Sequence, residues 1–570
     1  MPDIALRFAT DVVVVDGGLG SLLLAEGIES DMHPMFLNVL EPDMIQAIHK
    51  RYIQAGAQAI TSNSFGGSRP QLATHGLADR VEEFNRMAVR LAKACQPEHV
   101  LADVGPCGLM MPPFGIASFD EVFQIYVEQI TALAAEEPDA ILIETMIDIA
   151  DARCAVLAAK TVSNLPVFAS VSFAASGRME LSGTDVATAA VILEAAGADV
   201  IGMNCGLGHQ AFLPLLSEMA AYTTLPLLVQ PNAGLPQIAL DGSTSYLGTP
   251  EEMAEAAWAY RQLGAQFIGS CCGSTPSHTA AIYVAVGGSD AVKVARGLTR
   301  QQAMVLASPA SQVRLAADGD CQIISGCLKP NSPELQTSDL SVSEFSTITS
   351  LLIDQVESGA KLINVNLDAW GVDTASVLPA LVSELSSLVK APLMISADNS
   401  QALEAALRVY PGRAIISLVN HQSNQLQQIM PSAKRYGAAV VISCSDQASM
   451  NINPQLAHLE TILSAAHQAG LSDNDILFDV TNQISLADPR TFEQAVSCIR
   501  ELVTHGLLSM LDMSDFRPQA ELLKAAVEAG LNAVVLDPQD EILMSALAKA
   551  NQARQKQFLL EKTGAISTIV

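Results

Sequence analysis

The sequence predicts an α/β protein made of two (β/α)8 barrels of the TIM type in tandem, and three observations carry that expectation. Short apolar runs rich in β-branched residues recur about every 25 to 40 residues, with helix-like segments between them. The runs are continuously apolar rather than alternating, which marks a parallel sheet covered by helices on its outside. They fall into two sets of eight, and eight strand–helix units in roughly 250 residues suit a closed barrel.

The first set reads "DVVVVD", "QAITSNSF", "VLADVGP", "AILIET", "PVFASVSF", "DVIGMNC", "PLLVQPN" and "QFIGSCC". Each run is bounded by Gly, Pro or Asp, the residues that end strands and open turns. Between Gly297 and Leu315 the pattern lapses into "GLTRQQAMVLASPASQVRL". It then resumes as "CQIISGC", "LINVNLD", "PLMISAD", "AIISLVN", "AVVISCS", "DILFDVT", "LLSMLDM" and "AVVLDP". The expected organisation is a first barrel over 1–297, a linker over 298–320, a second barrel over 321–560 and a tail over 561–570. An open doubly wound sheet is the alternative for either half. The count of eight disfavours it, and no Gly-x-Gly-x-x-Gly follows the first strand.

Composition narrows the function classes. The 570 residues are 49% hydrophobic, enough for two cores. Ten cysteines lack a dense spacing pattern and the amino-terminal "MPDIALRFATD" lacks a basic stretch followed by an apolar run, so a reducing cytoplasm is expected. Apolar runs such as Val12 to Val15 fall far short of the ~20 residues that span a bilayer, so no membrane segment is expected. With 31 basic against 60 acidic residues, the formal charge of −29 repels a phosphate backbone and excludes nucleic acid as the expected partner.

Chemistry gathers at the carboxyl ends of barrel strands. There "GMNCG" places Cys205 at the end of the sixth strand and "GSCCG" places Cys271 and Cys272 at the end of the eighth. Adjacent residues of a strand face opposite ways, so both members of the pair can aim at one point only where the chain leaves strand geometry, and Gly273 supplies that freedom. Three alternatives stay open on spacing alone. The pair can be a buried accident of composition, since free Cys is often a small hydrophobe. It can be a redox switch, although a vicinal disulfide is strained and the Cys-x-x-Cys spacing is missing. Or, with Cys205, it can supply three thiolates to a catalytic zinc that keeps an open fourth position. Three thiolates make zinc a poor activator of water but let it hold a fourth sulfur as thiolate, which points to alkyl transfer onto a substrate thiol.

The motifs "DVVVVDGGLGSLL", "TSNSFGGSR", "LADVGP", "ILIETM", "SGRMELSGTD", "GMNCG", "PNAGLP" and "GSCCGSTPSH", in this order, resemble the barrel of the homocysteine S-methyltransferase family. In particular they resemble the amino-terminal half of the cobalamin-dependent methionine synthases, over roughly residues 8 to 295. The last motif departs from the usual Gly-Gly-Cys-Cys at Ser270. The resemblance implies zinc on Cys205, Cys271 and Cys272, and the homocysteine ammonium on Asp16 and Glu144. Backbone N–H groups at Gly17 and Gly18 are the candidates for the substrate carboxylate. Asn63 and Asn232, also at strand ends, are expected as supports around the substrate, because amides do no acid–base work. The plainer alternatives are that Asp16 caps the helix beginning near Ser21 and that Glu144 is a strand-end acceptor. His278 in "TPSH" is expected to be a solvated helix-start residue, and Cys95, Cys107, Cys154, Cys321, Cys327, Cys444 and Cys498 to pack.

Residues 321 to 560 resemble the pterin-binding barrel that follows the homocysteine barrel in that family. Asn366 and Asp479 match its polar contacts, whereas Cys327 and Leu328 stand in place of a Glu-Arg pair, Ser396 for an aspartate, and Ser417 and Met513 for asparagines. Asp398 lies two residues past Ser396 on the same strand face and is a candidate substitute, as are Asp512 and Asp515 near Met513. Each unpaired buried polar group costs about 1–3 kcal/mol, so the expectation is a degenerate pterin site or one adapted to another ligand. No Asp-x-His-x-x-Gly occurs ("DMHPMF" has Phe36 at the glycine), so a folate or methyl-corrinoid would be supplied in trans. The expected activity is zinc-dependent methylation of homocysteine to methionine. The donor would be a separate methyl-corrinoid protein or a small sulfonium or ammonium compound. The alternatives are a methyltetrahydrofolate-linked methionine synthase fragment acting with a cobalamin partner, and a non-catalytic zinc- or thiol-binding module.

Overall fold

Both sets of eight apolar runs form parallel strands that close into barrels in the computed structural model, which describes residues 11–28, 32–238, 244–288, 290, 303–328, 340, 345–418, 423–444, 455–481, 490–514 and 520–567. The chain divides into two units, Met1–Thr299 and Arg300–Val570.

In the first unit the barrel strands are β1 (Val13–Val14), β2 (Ala59–Thr61), β3 (His99–Val104), β4 (Ala140–Met146), β5 (Val167–Val171), β6 (Val200–Gly208) and β7 (Leu227–Asn232). A small antiparallel hairpin, β8 (Pro236–Ile238) with β9 (Thr244–Tyr246), interrupts before the eighth barrel strand, β10 (Ala265–Ile268). Pairing runs in parallel from β2 through β7 to β10 and β1, and a bridge from Val15 to Ala59 closes the ring. Inward-facing Val13, Val15, Ala59, Leu101, Leu142, Phe168, Val200, Leu228 and Phe267 fill the interior, with the Phe168 and Phe267 rings edge to face at 4.7 Å. The barrel is therefore a packed plug below its functional rim.

Asp151, in the first turn of the helix Ile149–Val162 outside β4, is buried, and its Oδ1 accepts the Tyr126 hydroxyl at 2.8 Å. Burial pushes this carboxyl up to about 7 against the help of that hydrogen bond. The folded state thus prefers the protonated acid, so its contribution is fully present below about pH 4 and is lost as pH rises through about 7. Asp151→Asn is expected to remove this dependence, raising stability at pH 8 by on the order of 1–3 kcal/mol relative to wild type and leaving pH 4 unchanged. Urea midpoints at the two pH values check it; equal differences at both would overturn it.

The second unit begins with the antiparallel hairpin β11 (Ala303–Ala307) and β12 (Gln312–Ala316), inside the stretch expected to be a linker. Its turn is held by Ser308, whose Oγ accepts the N–H groups of Ala310 and Ser311. Met304, Leu306, Val313 and Leu315 pack into the same core as the barrel residues Ile324, Leu362, Ile415 and Leu508, so the hairpin belongs to this domain. Buried Arg413 ties it down by donating to Val305 O at 2.7 Å and pairing with Asp475. The closed ring comprises β13 (Gln322–Ser325), β14 (Leu362–Asn366), β15 (Leu393–Ser396), β16 (Ile415–Ser417), β17 (Ala439–Ser443), β18 (Ile476–Asp479), β19 (Leu508–Asp512) and β20 (Ala533–Leu536). The last helix, Glu541–Ser567, runs through most of the segment expected as a tail. No helix among the described residues is long and apolar enough to cross a membrane.

Candidate active site

Two residues further up the strands, the apolar plug of the first barrel gives way to a polar layer. Thr61 follows Ala59, Asp103 follows Leu101, Glu144 follows Leu142, Ser170 follows Phe168 and Gln230 follows Leu228, all by strand alternation on the inner face. Asn204 joins them from β6. This layer floors a cavity of about 320 Å³ at the carboxyl rim, lined among others by Gly17, Gly18, Asn63, Asp103, Glu144, Gln230, Cys205, Cys271 and Cys272.

The three cysteines expected to act together do meet: their sulfur atoms lie within 4.8 Å of one another, with Cys205 Sγ 3.9 Å from Cys272 Sγ. Cys205 reaches the cavity because β6 bulges after Asn204, leaving Cys205 at φ 56° and Gly206 at φ 63°. A cysteine in the left-handed region is strained, a feature that concentrates at functional sites. Cys271 and Cys272 lie beyond the end of β10, where Gly273 at φ 77° turns the chain. Tetrahedral zinc with Zn–S bonds of about 2.3 Å separates its sulfurs by about 3.8 Å, so the donor set fits that ion. Hydrogen bonds from Cys271 and Cys272 hold the Cys205 thiol down to about 3, while the thiols of Cys271 and Cys272 are pushed up. A dication binding there displaces the remaining thiol protons. Among the described residues this is the one group of three or more His, Cys, Asp or Glu side chains arranged for a metal.

Gly17 and Gly18 have a reason distinct from a substrate contact. A Cβ on Gly17 would sit 2.5 Å from Ser274 Oγ, and one on Gly18 would sit 2.6 Å from the Cys271 carbonyl oxygen. The Gly18 N–H already donates to Ser274 Oγ at 3.0 Å, and Ser274 in turn donates to Cys271 O at 2.7 Å. Gly18 is the N-cap of the helix Leu19–Ala25, without a side-chain cap, so Asp16 does not cap that helix. Because Gly18 has φ −63°, alanine meets no backbone strain there and acts by crowding the Cys271 carbonyl and Ser21 Oγ, which accepts the Gly273 N–H. Gly18→Ala is expected to weaken zinc retention by about 10- to 100-fold, the range for groups that orient metal ligands. Chelator competition measures it, and unchanged retention would overturn it.

Asp16 is buried and its carboxylate is taken by Thr61, whose N–H donates to Oδ2 at 2.9 Å and whose hydroxyl lies 3.2 Å from both oxygens. Burial pushes this acid up to about 7. Glu144 Oε2 accepts Asn204 Nδ2 at 3.4 Å; burial, then the charges of Cys205 and Asp16, push it up to about 8. Asp103 is held well above the carboxylate range by burial and by Glu144 and Asp16. Three acids this close resist ionising together and favour a cationic ligand. Asn63 donates through Nδ2 to Pro34 O and to Asn38 Oδ1, both at 2.9 Å, so it pins the rim loop while lining the cavity. Asn232 hydrogen-bonds Cys205 and leaves Oδ1 without a partner.

Sequence reasoning missed Asn204, Asp103 and Ser274. Asn204 Oδ1 accepts Thr145 N at 2.9 Å and Ser170 Oγ at 2.8 Å, while Nδ2 donates to Thr145 Oγ1 at 2.7 Å and approaches Cys271 Sγ at 3.9 Å. Its signal was its place beside Cys205 in "GMNCG". His278 is not a solvated helix-start residue but a buried one, with Nδ1 in a capping box with Thr275 and Nε2 3.0 Å from Gly248 O. Burial follows because the 248 loop folds over that helix start.

In the second unit Asn366, Asp398 and Asp479 stand at or just past strand ends on the carboxyl rim. Asn366 Oδ1 accepts the Asp368 N–H at 3.1 Å, and the Asp398 N–H donates to Asp368 Oδ2 at 2.7 Å. Asp479, on the sixth strand of the ring, accepts the N–H of Thr481 at 2.8 Å and its hydroxyl. Ser396 Oγ donates to Asn364 Oδ1 at 2.8 Å, and Asp512 accepts the Ser514 N–H at 2.8 Å. Asp515 lies outside the described residues.

A rim cavity that sets three thiols over a floor of buried acids defines the first unit as an enzyme of the (β/α)8 class. Residues 13–286 match the homocysteine S-methyltransferase family, and residues 332–514 match the family described as pterin binding enzyme. The first match falls on the unit whose motifs resemble that family. It is 27% identical over 466 residues to a methionine synthase of Mycobacterium tuberculosis, covering 76% of this chain and 38% of that one. It is likewise 27% identical over 473 residues to a methionine synthase of Mycobacterium leprae, covering 78% and 39%. The chain thus spans about two-fifths of the length of these curated relatives. Among solved structures it aligns with the metallated homocysteine methyltransferase MmuM of Escherichia coli at 20% identity and TM-score 0.42, covering 48% of this chain and 96% of that one. It also aligns with a dihydropteroate synthase of Coxiella burnetii at 13% identity and TM-score 0.35, covering 44% and 98%.

Proposed function

We propose that this chain methylates the thiol of L-homocysteine to give methionine, with zinc held by Cys205, Cys271 and Cys272. The observation that carries this reading is the convergence of three thiols on one wall of a cavity floored by Asp103 and Glu144, with Asp16 bonded to the lining residue Thr61. When bound, zinc supplies a fourth position at which a substrate sulfur is a thiolate at neutral pH. The acids receive the substrate ammonium and so fix the sulfur in line with the incoming methyl group. The sulfur lone pair forms the new S–C bond as the bond from methyl to its carrier breaks, and the carrier leaves with that electron pair. The Cys205 bulge and the Ser274 hydrogen bonds hold the thiols in place before substrate arrives. A reducing cytoplasm suits such thiols.

The donor in this reading is a separate methyl-corrinoid protein or a small sulfonium or ammonium compound, each offering a methyl group on a good leaving group. A second reading is favoured by the pterin-binding match of residues 332–514: a methyltetrahydrofolate-linked synthase that works with a cobalamin partner. Against folate stand Ser396 in place of an aspartate, Ser417 and Met513 in place of asparagines, and the internal hydrogen bonds of Asn366, Asp398 and Asp479. The test is methionine formation by zinc-loaded protein with S-methylmethionine, a betaine, methylcobalamin or methyltetrahydrofolate as sole donor. Turnover is expected with at least one of the first three and absent with methyltetrahydrofolate alone. Sustained turnover with the last would make the second barrel a working folate site. Homocysteine binding without turnover under any condition would leave a thiol-binding module.

A further inference from the structure

Asp103 presents the cavity with an unsatisfied acceptor. Its side chain is 6% exposed, lines the cavity, and takes a hydrogen bond from the Val104 N–H, but its Oδ1 has no partner among the described residues. A buried, unpaired carboxylate oxygen is costly unless a ligand completes it. Asp16, by contrast, does not line the cavity and has both oxygens engaged by Thr61. The strand register sets Asp103 level with Leu142, so Glu144 stands one inward-facing step further up the neighbouring strand β4, and both line the cavity. Among the described residues the lining contains no lysine or arginine that would neutralise them. An ammonium group carries three N–H donors and one positive charge, which satisfies two neighbouring acceptors and relieves their repulsion.

The geometry points to Asp103, paired with Glu144, as the carboxylate that directly receives the substrate ammonium and selects amino-thiols over plain thiols, with Asp16 acting through Thr61. This rests on the proposed thiol substrate and deepens it by assigning the specificity for the amino group. It also ranks the acids: loss of Asp103 should impair amino-thiol binding more than loss of Asp16.

The experiment titrates zinc-loaded wild type, Asp103→Asn and Asp16→Asn with L-homocysteine and with 4-sulfanylbutanoate, the same thiol acid without its amino group. The asparagine keeps the shape and the Val104 contact while removing the charge. Asp103→Asn is expected to bind L-homocysteine about 10- to 100-fold more weakly, the equivalent of a lost charge-assisted hydrogen bond, with 4-sulfanylbutanoate affinity and zinc content unchanged. Equal losses for both ligands, a loss of zinc, or no loss at all would overturn the assignment, because Asp103 would then be structural or idle. Failure of wild type to bind L-homocysteine would instead remove the proposed function, and this assignment with it.

Discussion

Replacing Cys205, Cys271 or Cys272 by alanine is expected to strip zinc from the first unit and to abolish methyl transfer. Each thiol supplies one of three donors whose sulfurs lie within 4.8 Å of one another. With one removed, two thiols are left on a wall where no histidine, aspartate or glutamate among the described residues joins the cluster as a substitute. An outer partner that merely orients a metal ligand is worth about 10- to 100-fold in affinity, so a ligand itself should be worth more than about 100-fold. The fold should survive, because the cysteines stand beyond or at bulges of their strands and the apolar plug lies below them. Metal analysis of the three single variants, with circular dichroism as the control for folding, decides the matter. Full zinc retention in all three would return the cysteines to ordinary packing or redox roles.

The barrels were legible in the sequence because each buried strand is a short apolar run, and that signal is local. The cysteine site was legible for a related reason: Gly206 and Gly273, which release Cys205 and Cys272 from strand geometry, stand next to them in the chain. What escaped depends on residues far apart. Asn204 is one polar residue inside an apolar strand until Thr145 and Ser170, 59 and 34 positions away, are seen to bond it. Asp103 carries no local signal, because nothing in "VLADVGP" says that its Oδ1 lacks a partner among the described residues. The hairpin Ala303–Ala316 reads as a linker in the sequence because its strands lack an intervening helix, and residues far along the chain, among them Tyr410, Arg413 and Asn532, fix it in the second unit together with the barrel core. His278 was misjudged because its acceptor, Gly248 O, comes from a separate loop.

Asn204→Ala is expected to destabilise the first unit by about 2–5 kcal/mol and to weaken both zinc and homocysteine binding. The side chain is buried, and its Oδ1 is the acceptor for the Thr145 N–H and the Ser170 hydroxyl; each donor left unpaired costs about 1–3 kcal/mol. Thr145 also sits at φ 58°, a conformation that a threonine holds only when its surroundings impose it, and Asn204 bonds both its N–H and its Oγ1. With the amide gone, the β4 bulge that follows Ile143 is free to relax, and Glu144 moves with it. The same deletion removes the Nδ2 donor that lies 3.4 Å from Glu144 Oε2 and 3.9 Å from Cys271 Sγ. A single change therefore loosens a substrate acid and a thiol at once. Asn204→Asp separates the two effects, since it keeps an acceptor for Thr145 and Ser170 but sets a second acid against Glu144 in place of the amide donor. That variant should retain more of the folding stability than the alanine variant while still binding homocysteine poorly. Urea unfolding, zinc content and homocysteine titration read the three consequences. An alanine variant within about 0.5 kcal/mol of wild type, with unchanged homocysteine affinity, would show that the bulges of β4 and β6 hold the site without this amide.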